Sequence, residues 1–147
     1  MEKATFAAGC FWGVEEAFDG LKGVLSTKVG YTGGTKPNPT YKNVCSGDTG
    51  HAEVIEIHFD PKVISYKELL DIFWKIHDST TINRQGPDVG TQYRSAIFIH
   101  SPEQKQIARA SLEKIAPKFD KPIVTQIIPA TTFYEAEEYH QKYFKKS

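Results

Sequence analysis

The feature that most constrains the fold is the alternation of side chains over residues 53–59, Glu-Val-Ile-Glu-Ile-His-Phe. Successive side chains of a β-strand point to opposite faces of the sheet, so Ile55, Ile57 and Phe59 share one face. A strand with one apolar face covers a core on that side, as strands of antiparallel sheets commonly do. The rest of the chain must therefore supply neighbouring strands and the helices that pack on this face.

Other short elements lie on both sides of this strand. Apolar and β-branched runs predict further strands over 4–8, 24–31, 93–100 and 123–128. Helical spacing of apolar residues and capping signatures predict helices after Cys10, Ser65 and Ser101 and over 133–144. This order predicts an α+β fold, a split βαβ (ferredoxin-like) two-layer sandwich with a mainly antiparallel sheet, long loops and a C-terminal helix.

Length and composition narrow the class of protein. The 147 residues suggest a single catalytic domain, 1–147, and the content of 39% hydrophobic and 24% charged residues is typical of a globular protein. Basic and acidic side chains both number 18, which argues against nucleic acid as a partner. No apolar run is long enough to cross a bilayer, and nothing indicates an obligate dimer, so we expect a monomer without membrane contact. Two cysteines and no signal-like start favour a cytoplasmic setting.

Two long polar segments, 33–50 and 78–92, interrupt the regular pattern and are rich in glycine, proline and other turn residues. Loops of this length within a compact domain are usually functional or disordered. Tyr41, Val44 and Cys45 inside the first segment favour an ordered loop. Both segments are therefore candidates for a functional site.

Cys10 stands where a short apolar strand reaches Gly9 and a helical pattern begins. At a helix N-terminus, free backbone N–H groups and the helix dipole favour negative charge, which lowers the pKa of a thiol. We therefore expect a reactive thiolate beside the apolar side chains of Phe11 and Trp12. The alternative is a small buried side chain in a strand-to-helix turn, since most free cysteines are packing residues.

Glu53 shares the apolar face of its strand, and a carboxyl at that position is expected to be partly desolvated. Desolvation raises the pKa of a carboxyl and favours the neutral acid. The alternative is that Glu53 lies at a frayed strand entrance and reaches water.

The remaining polar side chains give weaker indications of a functional role. His51 and Glu53 share a face, but no cluster of zinc spacing accompanies them, so we predict no metal site and a structural role for His51. Glu138 and His140 are interpreted as a solvated or capping pair on a polar helix face. A Cys–His hydrolase would need an imidazole oriented toward Cys10, and none of the histidines lies in a recognisable context for that role.

A thiol, a protonated carboxyl and tyrosine hydroxyls together suit attack on a polarised, uncharged centre whose departing oxygen must be protonated. A sulfoxide fits this description, with its methyl group against Phe11 and Trp12.

Several motifs resemble one known family, peptide methionine sulfoxide reductase A, in the same order along nearly the whole chain. They are Gly9-Cys10-Phe11-Trp12-Gly13-Val14-Glu15, Asn38-Pro39-Thr40-Tyr41, residues 45–53 (CSGDTGHAE), residues 83–95 (NRQGPDVGTQYRS) and residues 136–141 (AEEYHQ). The resemblance implies reduction of the S epimer of methionine sulfoxide, free or in proteins, which is a product of methionine oxidation.

The resemblance also implies roles for seven residues. Cys10 would attack the sulfoxide sulfur; Glu53, Tyr41 and Tyr93 would hydrogen-bond and protonate its oxygen; Phe11 and Trp12 would hold its methyl group; Asp88 would help shape the pocket. The attack would release methionine and leave Cys10 as a sulfenic acid.

The sequence departs from the family in one respect. Many members carry resolving cysteines in a C-terminal extension, and this sequence has none there; its second cysteine, Cys45, is not the family's usual resolver. We interpret Cys45 as a packed thiol and predict a one-cysteine enzyme with no bound cofactor. An external thiol, thioredoxin or glutathione with glutaredoxin, would then reduce Cys10. A thiol peroxidase and a non-catalytic module that binds oxidised methionine are the alternatives.

Overall fold

A computed structural model describes residues 2–146, so the first and last residues of the domain predicted over 1–147 lie outside it. The strands are β1 (Glu2–Ala8), β2 (Val24–Thr32), β3 (Ala52–Phe59), β4 (Arg84–Gln85), β5 (Asp88–Val89), β6 (Ser95–Ile99), β7 (Gln126–Pro129) and β8 (Tyr134–Glu135). The helices are α1 (Phe11–Phe18), α2 (Tyr41–Cys45), α3 (Tyr66–Lys75), α4 (Pro102–Ile115) and α5 (Tyr143–Lys146). Short 3₁₀ turns cover Thr91–Tyr93, Ala116–Lys118 and Glu138–His140.

Six strands form one sheet in the order β7-β6-β1-β3-β2-β8. Its β1–β3, β1–β6, β2–β3 and β2–β8 pairs are antiparallel, and the β6–β7 pair is parallel. Helix α1 connects β1 to β2 with β3 between them, and α3 connects β3 to β6 with β1 between them. These two crossovers are the split βαβ units predicted from the order of elements, and the mainly antiparallel α+β fold is confirmed.

The core lies between the apolar face of β1 and β3 and helices α1 and α3. Ile55, Ile57 and Phe59 are fully buried there, as the alternation of β3 predicts. Burial of each side chain of this size stabilises the fold by about 1.5–3 kcal/mol. Ser65 is the N-cap of helix α3, and its hydroxyl and backbone N–H complete the capping box with Glu68.

The helix predicted over 133–144 is wrong. This stretch forms β8, a 3₁₀ turn and the first residues of α5, here together called the C-terminal segment (Tyr134–Lys146). The start of this segment bonds to β2, since the Ala136 N–H donates to the Val29 carbonyl at 2.9 Å. Within the segment, the His140 N–H donates to the Glu137 carbonyl and the Gln141 N–H to the Glu138 carbonyl, which gives a short turn instead of a long helix. The strand predicted from residue 93 also begins later, at Ser95, because Tyr93 ends a 3₁₀ turn.

The two long polar segments are ordered and lie at one end of the sheet. The first contains α2, and the second contains the β4–β5 hairpin. Gly9 has φ +97°, and a Cβ added there would lie 2.9 Å from Cγ of Gln85. The hairpin therefore packs directly against the residue before Cys10. Among residues 2–146, none of the helices is both long and apolar enough to cross a membrane.

Candidate active site

Cys10 is the residue immediately before α1, at its N-cap, and its thiol is free and partly buried. Burial raises the pKa of this thiol, and the charges of Glu53 and Asp88 raise it further. Hydrogen bonds from the backbone N–H groups of Trp12 and Gly13 lower it, but by less. The position at the helix N-terminus is as predicted. The predicted lowering of the pKa is wrong for the free protein, because burial and two neighbouring carboxylates outweigh the helix end.

Glu53 lies on β3 beside Cys10 and is 1% exposed. Burial raises the pKa of its carboxyl to about 7; Asp88 adds to the rise, and the N–H of Phe11, donated to Oε1 at 3.2 Å, opposes it. The other oxygen, Oε2, is buried and has no hydrogen-bond partner among the described residues. The raised pKa predicted from the strand pattern is confirmed, and a frayed, solvated Glu53 is excluded.

Two tyrosines approach this carboxyl from different segments. Tyr41 is the first residue of α2, which Thr40 and Asn43 cap, and Tyr93 ends the 3₁₀ turn before β6. Burial raises the pKa of both hydroxyls, that of Tyr93 to about 12, and the charge of Glu53 contributes to each rise. Both hydroxyls are therefore protonated donors at neutral pH.

Asp88 is half-buried on β5, the second strand of the hairpin that packs on Gly9. Its charge raises the pKa of three other groups: Cys10, Glu53 and Tyr93. A carboxylate that acts on all three lies within the same cluster.

The aromatic residues after Cys10 have different surroundings. Phe11 is completely buried and packs against Tyr31 and Tyr41, with ring centroids 5.7 and 6.4 Å away. Trp12 is half-buried and stacks on Tyr143 at 3.9 Å with 8° between the ring planes. Phe11 thus forms the interior of the aromatic cluster, whereas Trp12 borders its surface.

Sequence reasoning misplaced His140 and gave no separate role to Glu137. His140 is 0% exposed, not solvated, and its ring lies 4.4 Å from that of Tyr41. Glu137 accepts hydrogen bonds from the Tyr31 hydroxyl at 3.0 Å and from the Tyr41 N–H at 3.0 Å. Both residues belong to the AEEYHQ motif, and this motif is the sequence signal that could have identified them. The wrong prediction of a helix placed their side chains on a solvated face instead of in the site.

Cys45 is exposed, so the interpretation as a packed thiol is wrong. It is the last residue of α2, one turn after Tyr41, and its sulfur accepts a hydrogen bond from the Tyr41 hydroxyl. The short helix orients this thiol toward the edge of the site instead of the core.

The described residues hold no group of three or more His, Cys, Asp or Glu side chains that could bind a metal ion. His51 bonds to the backbone of the first long loop, accepting the Gly34 N–H at Nδ1 (3.0 Å), while Nε2 lies 2.7 Å from the Lys36 carbonyl. These contacts agree with the structural role predicted for His51.

Five of the predicted residues lie close enough to influence one another's pKa values: Cys10, Glu53, Tyr41, Tyr93 and Asp88. They combine a thiol, a carboxyl that exchanges its proton near neutrality and two hydroxyl donors, with Trp12 at the border. Such a set suits nucleophilic thiol chemistry on a group that must also accept a proton.

Known proteins identify the family. A family model for peptide methionine sulfoxide reductase matches residues 2–147. The peptide methionine sulfoxide reductase MsrA of Methanosarcina acetivorans is 64% identical, over 99% of this chain and 79% of that protein. Reduced Mxr1 from Saccharomyces cerevisiae superposes with a TM-score of 0.95 and 44% identity, over 99% of this chain and 85% of that one. A structure of Mxr1 in complex with Trx2 gives a TM-score of 0.69 and 33% identity, over 97% and 84%.

The chain belongs to the peptide methionine sulfoxide reductase family. It is an oxidoreductase that uses thiol chemistry to reduce methionine sulfoxide.

Proposed function

We propose that this chain is a single catalytic domain, 1–147, in which Cys10 attacks the sulfur of methionine-S-sulfoxide, free or in proteins. The observation that carries the proposal is the buried Glu53 carboxyl beside the helix end that bears Cys10, with a pKa raised to about 7. Preference for the S epimer rests on membership of the family.

Glu53 acts as the general acid. Its proton passes to the sulfoxide oxygen while a bond forms between Sγ of Cys10 and the sulfur, and the thiol proton replaces the one donated. The protonated oxygen then moves to Sγ of Cys10 while its bond to the substrate sulfur and the bond between the two sulfurs break, so that methionine leaves and Cys10 becomes a sulfenic acid. General acid assistance of this kind contributes about 10²–10⁴-fold to a rate.

Tyr41 and Tyr93 hydrogen-bond the sulfoxide oxygen and stabilise its developing charge. The O–H of Tyr41 is directed at Cys45 in the free protein and has to rotate about its C–O bond to make this contact. Asp88 shapes the pocket through bound water or nearby hydroxyls and keeps the proton affinity of Glu53 high.

Trp12 and Phe11 hold the methyl group of the substrate. Trp12 contacts the methyl directly, since it borders the surface, and the buried Phe11 supports Trp12 and Tyr41 from below. An apolar surface beside the nucleophile suits the uncharged S-methyl end of the substrate.

External thiols return Cys10 to its reduced form. Two thiol groups form a disulfide, the oxygen of the sulfenic acid leaves as water, and Cys10 becomes a thiol again. We propose thioredoxin, which the complex of the related Mxr1 with Trx2 supports, or glutathione with glutaredoxin. No bound cofactor is required. The chain acts as a monomer in the cytoplasm, a setting that its two free cysteines support.

Turnover of separated S and R methionine sulfoxides tests the proposal, with thioredoxin and glutaredoxin systems supplied in parallel. We expect turnover of the S epimer by the unaltered protein, none by Cys10→Ser, and near-unchanged turnover by the matched variant Cys45→Ser. Activity retained by Cys10→Ser would remove the proposed nucleophile, and preference for the R epimer would overturn the proposed substrate.

A further inference from the structure

A cleft opens at the end of the sheet opposite Cys10, between the first turns of α3 and α4. It is called here the α3–α4 cleft; its volume is about 490 Å³, and among the residues that line it are Glu2, Pro61, Ser65, Tyr66, Glu103 and Ile107. Pockets that bind small molecules have volumes of about 300–1,000 Å³. The seven residues of β1 separate the cleft from the turn that bears Cys10, a distance of roughly 20 Å at about 3.3 Å per residue. The cleft is therefore separate from the reductase site.

The floor of the α3–α4 cleft is apolar. Tyr66 is 4% exposed and packs against Phe6 and Phe59, with ring centroids 6.0 and 6.4 Å away. Pro61 and Ile107 border the same space, and Ile107 is one of the large apolar side chains that the fold leaves exposed. An aliphatic chain that lies against these residues is removed from water, which favours binding.

The hydroxyl of Tyr66 is the polar group of this floor. It is buried and has no hydrogen-bond partner among the described residues, although most buried polar atoms have one. Burial raises the pKa of Tyr66, and the charge of Glu2 raises it further, so the hydroxyl stays protonated and lies toward the Glu2 side of the cleft. Phenylalanine would fill the same space without an unpaired hydroxyl, which costs stability. A phenol oxygen can accept a hydrogen bond, so the floor offers an acceptor to a group that enters the cleft.

Two other polar side chains at the cleft are bonded within the protein. Ser65 completes the capping box with Glu68. The amide of Gln104 donates to the Lys3 carbonyl at 2.7 Å and accepts the His100 N–H at 2.9 Å. These bonds fix the walls of the cleft around the unpaired hydroxyl of its floor.

The charges that face the cleft are negative. Glu2 lies on the core face of β1, and Glu103 lies in the first turn of α4. Lys3 and His100 also border the cleft, but alternation along β1 directs the Lys3 side chain to the opposite face, where Nε2 of His100 lies 2.8 Å from the Thr5 hydroxyl. Burial, and then the charge of Lys3, lower the pKa of His100, so its ring is largely uncharged at neutral pH. Among the described residues that line the cleft, two carboxylates therefore face it without a facing cation, which favours a positively charged ligand.

We infer that the α3–α4 cleft is a second binding site, which takes a small primary alkylamine in its ammonium form. The aliphatic chain lies against Pro61, Tyr66 and Ile107. The ammonium group donates a hydrogen bond to the Tyr66 hydroxyl and is attracted by the carboxylates of Glu2 and Glu103. An anion of the same shape is repelled, and a neutral alcohol lacks the attraction of the two carboxylates. This inference does not depend on the proposed reduction of methionine sulfoxide.

Three probes of equal chain length test the inference at neutral pH: n-hexylamine, 1-hexanol and hexanoate. Binding to the unaltered protein is followed by the backbone amide signals in nitrogen–proton correlation spectra. We expect hexylamine to shift the signals of residues that line the cleft, with saturation, and to leave those of Gly9, Cys10 and Glu53 in place. Hexanol should bind more weakly by about tenfold or more, the effect of a hydrogen bond to a charged group. Hexanoate should shift none of these signals.

Two variants separate the hydroxyl from the charge. Tyr66→Phe removes only the hydroxyl and should raise Kd for hexylamine by about tenfold. Its midpoint of urea unfolding should be unchanged or higher, because an unpaired buried group is lost. Glu103→Gln should raise Kd by about two- to fivefold and weaken the dependence of Kd on salt. The matched control is Glu113→Gln, at an exposed position of the same helix, which removes an equal charge and should leave Kd unchanged.

The inference is overturned if hexylamine shifts no signal at the cleft, or if hexanol or hexanoate binds as tightly as hexylamine does. An unchanged Kd in Tyr66→Phe would also overturn it. A less stable Tyr66→Phe would contradict it as well, because the hydroxyl would then have a partner within the protein. Turnover of methionine sulfoxide by the unaltered protein should be the same with and without hexylamine, so a failure of the proposed function is observed separately.

Discussion

At the scale of single residues, burial raises the pKa values of two groups in the site, the Glu53 carboxyl and the Cys10 thiol. The Glu53 carboxyl has a pKa of about 7, so much of it is protonated at neutral pH. The Cys10 pKa is raised as well, so the resting thiol is largely protonated. The thiol is therefore not activated before substrate binds, and the proposed attack by Cys10 must be coupled to proton transfer toward the sulfoxide oxygen.

The pH dependence of kcat/KM tests the role of Glu53, because this profile reports ionisations of the free enzyme. A general acid is active when protonated, so the rate of sulfoxide reduction should fall as pH rises through about 7, the pKa of the Glu53 carboxyl. Glu53→Gln keeps the shape without the acidity and should be slower by about 10²–10⁴-fold. Its profile should lose the decline near pH 7.

The matched control for Glu53→Gln is Glu56→Gln. Glu56 lies on the same strand but points to the opposite face, where it pairs with His58 at 2.9 Å. This variant should keep the rate and the pH profile of the unaltered protein. A Glu53→Gln variant with unchanged kinetics would remove Glu53 from the mechanism.

The state of the Cys10 thiol can be measured directly from the pH dependence of alkylation by iodoacetamide in a Cys45→Ser background. Alkylation of Cys10 should be slow at neutral pH, because burial and the charges of Glu53 and Asp88 raise the pKa of its thiol. The rate of alkylation should rise only at pH values above the ordinary pKa of a cysteine. Glu53→Gln removes one of these charges and should lower the pKa. A pKa below 7 in the free protein would contradict this account.

At the scale of structural elements, the sequence predicts what local pattern determines and misses what distant contacts determine. The alternation of β3 and the capping box at Ser65 each depend on residues that are close together in the sequence. Both predictions are confirmed. The C-terminal segment has tyrosines at helical spacing, but its backbone bonds to Val29 and its Gln141 side chain completes the same pairing. A single sequence read locally does not reveal a partner more than a hundred residues away.

The same distinction applies to the site. Cys10 and Glu53 are visible from the sequence because each stands out in its own element. The burial of His140 and the exposure of Cys45 depend on the course of the C-terminal segment and of α2, which local pattern does not specify. The prediction of a lowered pKa for Cys10 is wrong for a related reason, since this pKa depends on burial of the thiol and on carboxylates contributed by other segments.

The hydrogen bonds that attach the C-terminal segment to β2 should contribute measurably to the free energy of unfolding. Gln141→Ala removes the partner of the Val29 N–H and one donor to the Ala136 carbonyl, while the Val29 carbonyl keeps the Ala136 N–H. We expect the free energy of unfolding to fall by about 1–3 kcal/mol, the cost of leaving a buried polar group unpaired. Urea unfolding followed by circular dichroism measures the change. Gln106→Ala, at an exposed position of α4, is the control and should change it by less than about 0.5 kcal/mol. Equal effects would show that Gln141 does not anchor the segment.

At the scale of the whole molecule, the sheet brings together five parts of the chain that are distant in sequence. The β1–α1 turn supplies Cys10, β3 supplies Glu53, and the two long segments and the C-terminal segment complete the site around them. The antiparallel pairs β1–β3 and β2–β3 form a rigid support, whereas the groups that meet the substrate lie mostly at its end or on loops. This division is common in enzymes whose chemistry requires groups from several segments.

The central claim is that Cys10 takes the oxygen of the substrate. A single turnover without reductant tests it most directly, with released methionine quantified and the protein analysed by mass spectrometry after sulfenic acid trapping. We predict one methionine per chain, the trap on Cys10 and an unmodified Cys45. Methionine release with Cys10 still a free thiol, or the same release by Cys10→Ser, would contradict the account.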